Sequence, residues 1–308
     1  MTAQEQQALL RLTLRAAYAG SGQDSAAREQ LRDSAERMEA LTGYRGLVPD
    51  VLLERVSLST DAACLAAPGL RQLAFELAVG ACNAGGLRND TQTRFLIALG
   101  RALGLTAPAM AGPAAEADAL ATLPLTGPKR AAQATAGCDL QAAVDTMVLR
   151  YAIANGALQR LPLALASLAT LALQQRMIYQ VGAVYGCAPT REQARDFLRD
   201  AGFSPLQQYL EDIGRKFALG LFHEPRNGWV GGSTAAITGG AFAKTHALGH
   251  LAERYYAGGC AMSPPMLQAE LVVLGEHARA LQPLYESQIE QQARQIDREA
   301  LLAWTQNQ

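Results

Sequence analysis

Ser204-Pro205-Leu206-Gln207-Gln208-Tyr209-Leu210-Glu211-Asp212-Ile213-Gly214-Arg215-Lys216-Phe217-Ala218-Leu219-Gly220-Leu221 is the stretch that decides the fold class. Ser204 reads as a helix cap, with Gln207 at the third helical position. Pro205 takes the first position, where its missing N–H is not needed. Leu206, Leu210, Ile213, Phe217 and Leu221 then recur at i, i+4, i+7 and i+11, an apolar stripe suited to core burial. The same grammar appears elsewhere. Thr190 with Gln193 and Asn89 with Gln92 read as capping boxes, and Phe95, Leu96, Leu99 and Leu103 follow the second at helical spacing. Residues 139–154 carry Val144, Met147, Val148 and Tyr151 on one side, and residues 161–184 form a long apolar helix. Hydrophobic residues make up 49% of the chain and aromatics only 6%. Much of the apolar content is alanine and leucine, and β-branched runs bounded by turns are scarce. The expected fold is all-α.

A formal net charge of −1 argues against a nucleic-acid binder, which needs a basic face. Arg11, Arg15, Arg28, Arg32 and Arg37 alternate with acids, as on solvated helix faces. The five cysteines, Cys64, Cys82, Cys138, Cys187 and Cys260, contain no C-x-x-C pair, so they read as free thiols in a reducing compartment. The polar start, Met1-Thr2-Ala3-Gln4-Glu5, lacks the basic and apolar regions of a signal peptide. A cytoplasmic location is expected.

Three regions are expected along the chain: a helical domain over residues 1–106, a linker over 107–137 rich in Ala, Pro, Gly and Thr, and a second helical domain over 138–308. In the first domain Ala16-Ala17-Tyr18-Ala19-Gly20 and Ala81-Cys82-Asn83-Ala84-Gly85 form a faint repeat. The linker is expected to hold one short helix near residues 116–123, and Pro283 to mark a further kink between a helix over 266–280 and a terminal helix. In the terminal helix Ile289, Ala293, Ile296, Ala300 and Trp304 form a narrow stripe that could dock on the domain or pair with a second copy.

Ala81-Cys82-Asn83-Ala84-Gly85-Gly86, Thr93-Arg94-Phe95-Leu96 and Gly100-Arg101-Ala102-Leu103-Gly104-Leu105 resemble the TerB-like helical domain over roughly residues 5–106. That family usually carries an Asp-Gly loop and a later Glu in an acidic cluster. Here Gly85-Gly86 and Gln92 stand at those places, so few hard oxygens remain for a calcium- or magnesium-type ion.

Leu161-Pro162-Leu163-Ala164, the run Leu173 to Tyr179, Tyr185-Gly186 and Gly228-Trp229-Val230-Gly231-Gly232 resemble the YcjF-like domain of bacterial inner-membrane proteins. So do Thr245-His246-Ala247-Leu248-Gly249-His250 and Tyr255-Tyr256-Ala257-Gly258-Gly259. Such domains also occur at the C-termini of Era-like GTPases. The resemblance implies a P-loop GTPase or another envelope protein as partner, and a place at or near the inner membrane.

His246 and His250 stand four apart on one helix face with Glu253 three further on, so the three could ligate a divalent metal. The residue after His246 is Ala247, so the zinc-protease pattern is absent. Thr238 to Thr245 echoes a phosphate loop without its glycines. His223, at a helix end before Pro225, suits the terminal carbonyls.

Residues 161–175 and 227–243 are free of charge, but both are shorter than the about 20 residues a spanning helix needs. They read as helices of a soluble core or as a conditional membrane hairpin. Gly231, Ala235, Gly239 and Ala243 repeat every four residues, a close-packing or membrane-interface row. The leading expectation is a non-enzymatic interaction or scaffold protein of an envelope or stress-response system. The rival is a metal- or ligand-binding protein using His246, His250 and Glu253 or the TerB-like loops.

Overall fold

The computed structural model describes residues 1–20, 25–126, 139–222, 240–297, 299 and 301–308. It is all-α, with fourteen helices and no strand among the described residues. The chain divides into two compact units, each discontinuous in sequence. Met1–Thr122, Pro162–Leu168 and Pro205–Arg226 make the first, and Leu123–Leu161, Ala169–Ser204 and Asn227–Gln308 the second.

The first unit is built from α1 (Ala3–Ala19), α2 (Ser25–Thr42), α3 (Leu47–Leu52), α4 (Leu58–Cys64), α5 (Pro68–Asn83), α6 (Asp90–Ala102) and α7 (Ala107–Ala121), joined by α11 (Pro205–Ala218). Thr2 and Glu5 close a capping box on α1, and Asn89 and Gln92 close the expected one on α6. Leu9, Leu10, Leu12 and Leu14 are fully buried around α1, which packs on α5, α4 and α3. The stripe of α11 is realised: Leu210, Ile213, Phe217 and the following Leu221 are buried, and the helix packs on α2, α5 and α1. A β-carbon on Gly80 of α5 would collide with the Tyr209 ring, whose hydroxyl donates to Leu77 O at 3.0 Å. That glycine is what lets α11 come so close to α5.

Residues 107–121, expected to be linker with a short helix only near 116–123, are helical from 107 onward, because the defects proline introduces are met elsewhere. Pro108 falls in the first turn of α7. Pro113, inside the helix, has no N–H for the carbonyl four residues earlier. That carbonyl, Ala109 O, accepts instead from Gln72 Nε2 of α5 at 3.3 Å. Alanine, the best helix former, supplies much of the rest. Residues 127–137 of the expected linker lie outside the described residues.

The second unit holds α8 (Asp139–Gln159), α9 (Ala164–Val184) from residue 169 onward, α10 (Arg191–Asp200), α12 (Ala241–Ala257), α13 (Pro264–Gln295) and α14 (Leu301–Gln306). Thr190 and Gln193 form the expected capping box on α10. The two helices expected on either side of Pro283 are one, α13, which runs through the proline for 32 residues. The terminal stripe turns inward: Ile289, Ala293 and Ile296 are buried. Ile289 packs with Ala152, Ile153 and Phe242, and against Gly156, where a β-carbon would lie 3.1 Å from it. Ala300 lies outside the described residues.

No helix among the described residues is long and apolar enough to cross a membrane. The expected apolar helix, α9, shows why: Gln174, Gln175, Arg176 and Gln180 are buried along it. Gln174 Nε2 and Asn155 Nδ2 both donate to Thr245 Oγ1, at 3.1 and 2.9 Å, and Tyr151 donates to Gln180 Oε1 at 3.1 Å. Arg176 donates to Pro124 O and Thr305 O, both at 2.8 Å. Polar groups so deep in a packed interior are expected to be hydrogen-bonded. Gly231, Ala235 and Gly239 of the small-residue row, with His223 and most of segment 227–243, lie outside the described residues, whereas Ala243 is buried on α12.

Candidate metal centre

Helix α12 presents His246, His250 and Glu253 at i, i+4 and i+7, so all three project from one side. What faces them is decided by Gly249. A β-carbon there would lie 2.6 Å from both γ-carbons of Val148 on α8 and 3.1 Å from Met177 Sδ on α9. Helices α8 and α12 therefore meet at glycine-only separation, with the Met177 side chain of α9 packed close by. Asp145 sits one turn before Val148, and this close approach delivers its carboxylate to His250.

His250 Nδ1 lies 2.8 Å from Glu253 Oε2 and 3.8 Å from Asp145 Oδ1. Tyr185, just past the end of α9, donates its hydroxyl to Glu253 Oε1 at 3.4 Å. One ligand atom each from Asp145, His250 and Glu253 falls within 4.8 Å of the others, the one such group found among the described residues. Glu253 is buried, His250 half-buried and Asp145 exposed, so the cluster has a closed floor and an open mouth. Burial raises the Tyr185 phenol, and the negative charge of Glu253 and then Asp145 pushes it the same way. The site is thus rich in negative charge.

His246 is buried beside this group. Its ring stacks on Phe242 with centroids 5.8 Å apart and tilts against His250 at 4.5 Å. Burial, followed by the nearby His250 and His277, lowers its pKa to about 4. At neutral pH it is the uncharged imidazole, the form that ligates metals.

Of the expected metal residues, His250 and Glu253 come together, and His246 lies next to them. Asp145 and Tyr185 were missed by sequence reasoning. Asp145 comes from α8 and Tyr185 from the turn after α9, and no spacing along the chain marks them. Among the described residues the TerB-like loops gather no comparable group. Gln92 is occupied as a helix cap. The nearby Asp118 carboxylate is taken by Arg88 at 2.6 and 2.9 Å and by Asn83 Nδ2 at 2.9 Å.

An imidazole and two carboxylates suit a borderline divalent ion such as zinc, manganese or iron(II). Calcium prefers six or more oxygens. Three protein ligands would leave coordination positions for water. No family model, no curated protein and no solved structure matches this chain.

Proposed function

We propose that this is a non-enzymatic helical protein whose second unit takes up a divalent transition-metal ion at Asp145, His250 and Glu253. The observation that carries the reading is the convergence of three ligand atoms within 4.8 Å from two helices. The supporting chemistry is the uncharged His246 behind them and the Tyr185 hydroxyl on Glu253. Binding would replace the His250–Glu253 hydrogen bond, and Tyr185 would orient the carboxylate from outside the ligand set. Titration calorimetry of the whole chain with zinc and with manganese tests this. Saturable one-to-one binding is expected. His250→Ala and Glu253→Gln should each weaken it at least by the about 10–100-fold typical of losing an outer partner. Binding that is absent, or equal in both variants, would remove the proposal.

A second reading, the interaction module, is favoured by one observation. On α13 the exposed side chains Met266, Val273 and Leu284 fall at i, i+7 and i+18, close to one line along the helix. Such a row suits a partner helix. The resemblance to YcjF-like domains names a P-loop GTPase or another envelope protein as the partner, with residence in the cytoplasm or at the inner-membrane surface. The row of Gly231, Ala235, Gly239 and Ala243 belongs to this reading as a helix-packing or membrane interface, and TerB-like character of the first unit as its stress-response link. Co-purification with a GTPase that is lost on Val273→Asp and Leu284→Asp supports it, and capture unchanged by both excludes this face.

A further inference from the structure

Two helices of the second unit end in the same way and at the same place. After α9, Gly186 adopts φ 77° and donates to Ala183 O at 3.1 Å, while the Cys187 N–H closes on Gly182 O at 2.9 Å. After α12, Gly259 adopts φ 69° and donates to Tyr256 O at 3.1 Å, while the Cys260 N–H closes on Tyr255 O at 2.8 Å. Both are Schellman closures, with glycine at the left-handed position and cysteine directly after it. The two ends touch: a β-carbon on Gly182 would lie 3.1 Å from the Tyr256 ring.

This places the two cysteines side by side. The Cys187 and Cys260 thiols lie close enough to bear on the same two phenols, those of Tyr255 and Tyr256. Both cysteines are exposed. Cys260 itself has φ 63°, a conformation uncommon for a residue with a β-carbon. The other described cysteines differ. Cys64 is half-buried, and Cys82 is buried with its thiol pushed up to about 12 by that burial.

We propose that Cys187 and Cys260 form a dithiol modification site that closes to an intramolecular disulfide by exchange with a small-molecule disulfide. One thiolate attacks a sulfur of the small disulfide, forming a mixed disulfide and expelling one small thiolate. The second cysteine's thiolate attacks the protein sulfur of that mixed disulfide and expels the other. The two protein protons end on the two released small thiols, and the small disulfide has taken up the two electrons the cysteines lost. Both thiols stand at helix C-termini, where the dipole disfavours a thiolate. Burial, then the neighbouring Cys187, pushes the Cys260 thiol up. Closure therefore quickens as pH rises. The bond would join the ends of α9 and α12, next to Tyr185. It does not depend on a metal being bound.

Glutathione disulfide is the probe, added to the full chain with the metal chelated, followed by alkylation of free thiols and peptide mass spectrometry without reduction. A Cys187–Cys260 linked peptide within single chains is expected. The melting temperature should rise by roughly 5–10 °C, as for a disulfide closing a long loop. Cys187→Ser and Cys260→Ser should each lose that rise and accumulate the glutathione adduct on the remaining cysteine. The proposal is overturned if the unaltered chain itself keeps glutathione adducts at both positions. It is equally overturned if the linked peptide arises between chains, or if neither thiol reacts.

Discussion

Helices α1 and α4 of the first unit and helices α8 and α12 of the second each bring acids to an interhelical seam, and they neutralise them differently. In the first, Asp61 is fully buried and meets Arg11 at 2.6 and 2.8 Å, with Arg15 at 3.8 Å. Burial pushes the Asp61 carboxyl above its usual range, and Arg11 pulls it back. In the second, Asp145 and Glu253 meet an imidazole and a phenol, neither with a fixed positive charge. An acid facing a guanidinium already has its counter-charge and is structural. An acid facing groups that carry no fixed positive charge retains capacity for a cation.

The largest expected effect falls on the guanidinium seam. Asp61→Ala would leave the buried Arg11 with only the more distant Asp50, at 3.7 Å, a loss of up to about 3–5 kcal/mol, read by urea unfolding. Glu253→Gln keeps a hydrogen-bonding side chain in a metal-free site and should move stability by no more than about 0.5–1.5 kcal/mol. If the two variants lose equally, the contrast between the seams fails.

A pH series sharpens the second seam. The His246 pKa is lowered to about 4 from an ordinary 6.5. Between those values the unfolded chain binds more protons than the folded one, so stability rises as pH rises from 4 to 6.5. The contribution is present above pH 6.5 and is lost on acidification, at most about 3 kcal/mol. His246→Phe should flatten that segment of the stability curve, and an unchanged slope would assign it to other groups.

Smaller is the effect of Gly249→Ala. Its new methyl would have to displace Val148, at 2.6 Å, and such overpacking typically costs about 1–3 kcal/mol. Because Val148 and Asp145 share α8, the same change should weaken zinc binding. Full metal affinity despite the loss of stability would mean that the α8–α12 spacing does not position Asp145.

What was legible in the sequence was local. The capping boxes at Asn89 and Thr190 and the stripe Leu210, Ile213, Phe217 and Leu221 lie within a few turns of one helix, and all three are realised. Pro113 misled because the side chain that rescues its lost hydrogen bond, Gln72, comes from another helix. The allegiance of α11 to the first unit was hidden for the same reason: Gly80 and Tyr209 meet only once the chain has folded. His250 and Glu253 could be paired from spacing alone, whereas Asp145 reaches them across a contact set by Gly249, a residue with no side chain to mark it.

The most direct measurement is anomalous diffraction from zinc-soaked crystals of the whole chain, recorded on both sides of the zinc edge. The account predicts a single strong peak between α8 and α12, at bonding distance from Asp145, His250 and Glu253. A peak confined to other residues, or no peak at saturating zinc, would contradict it.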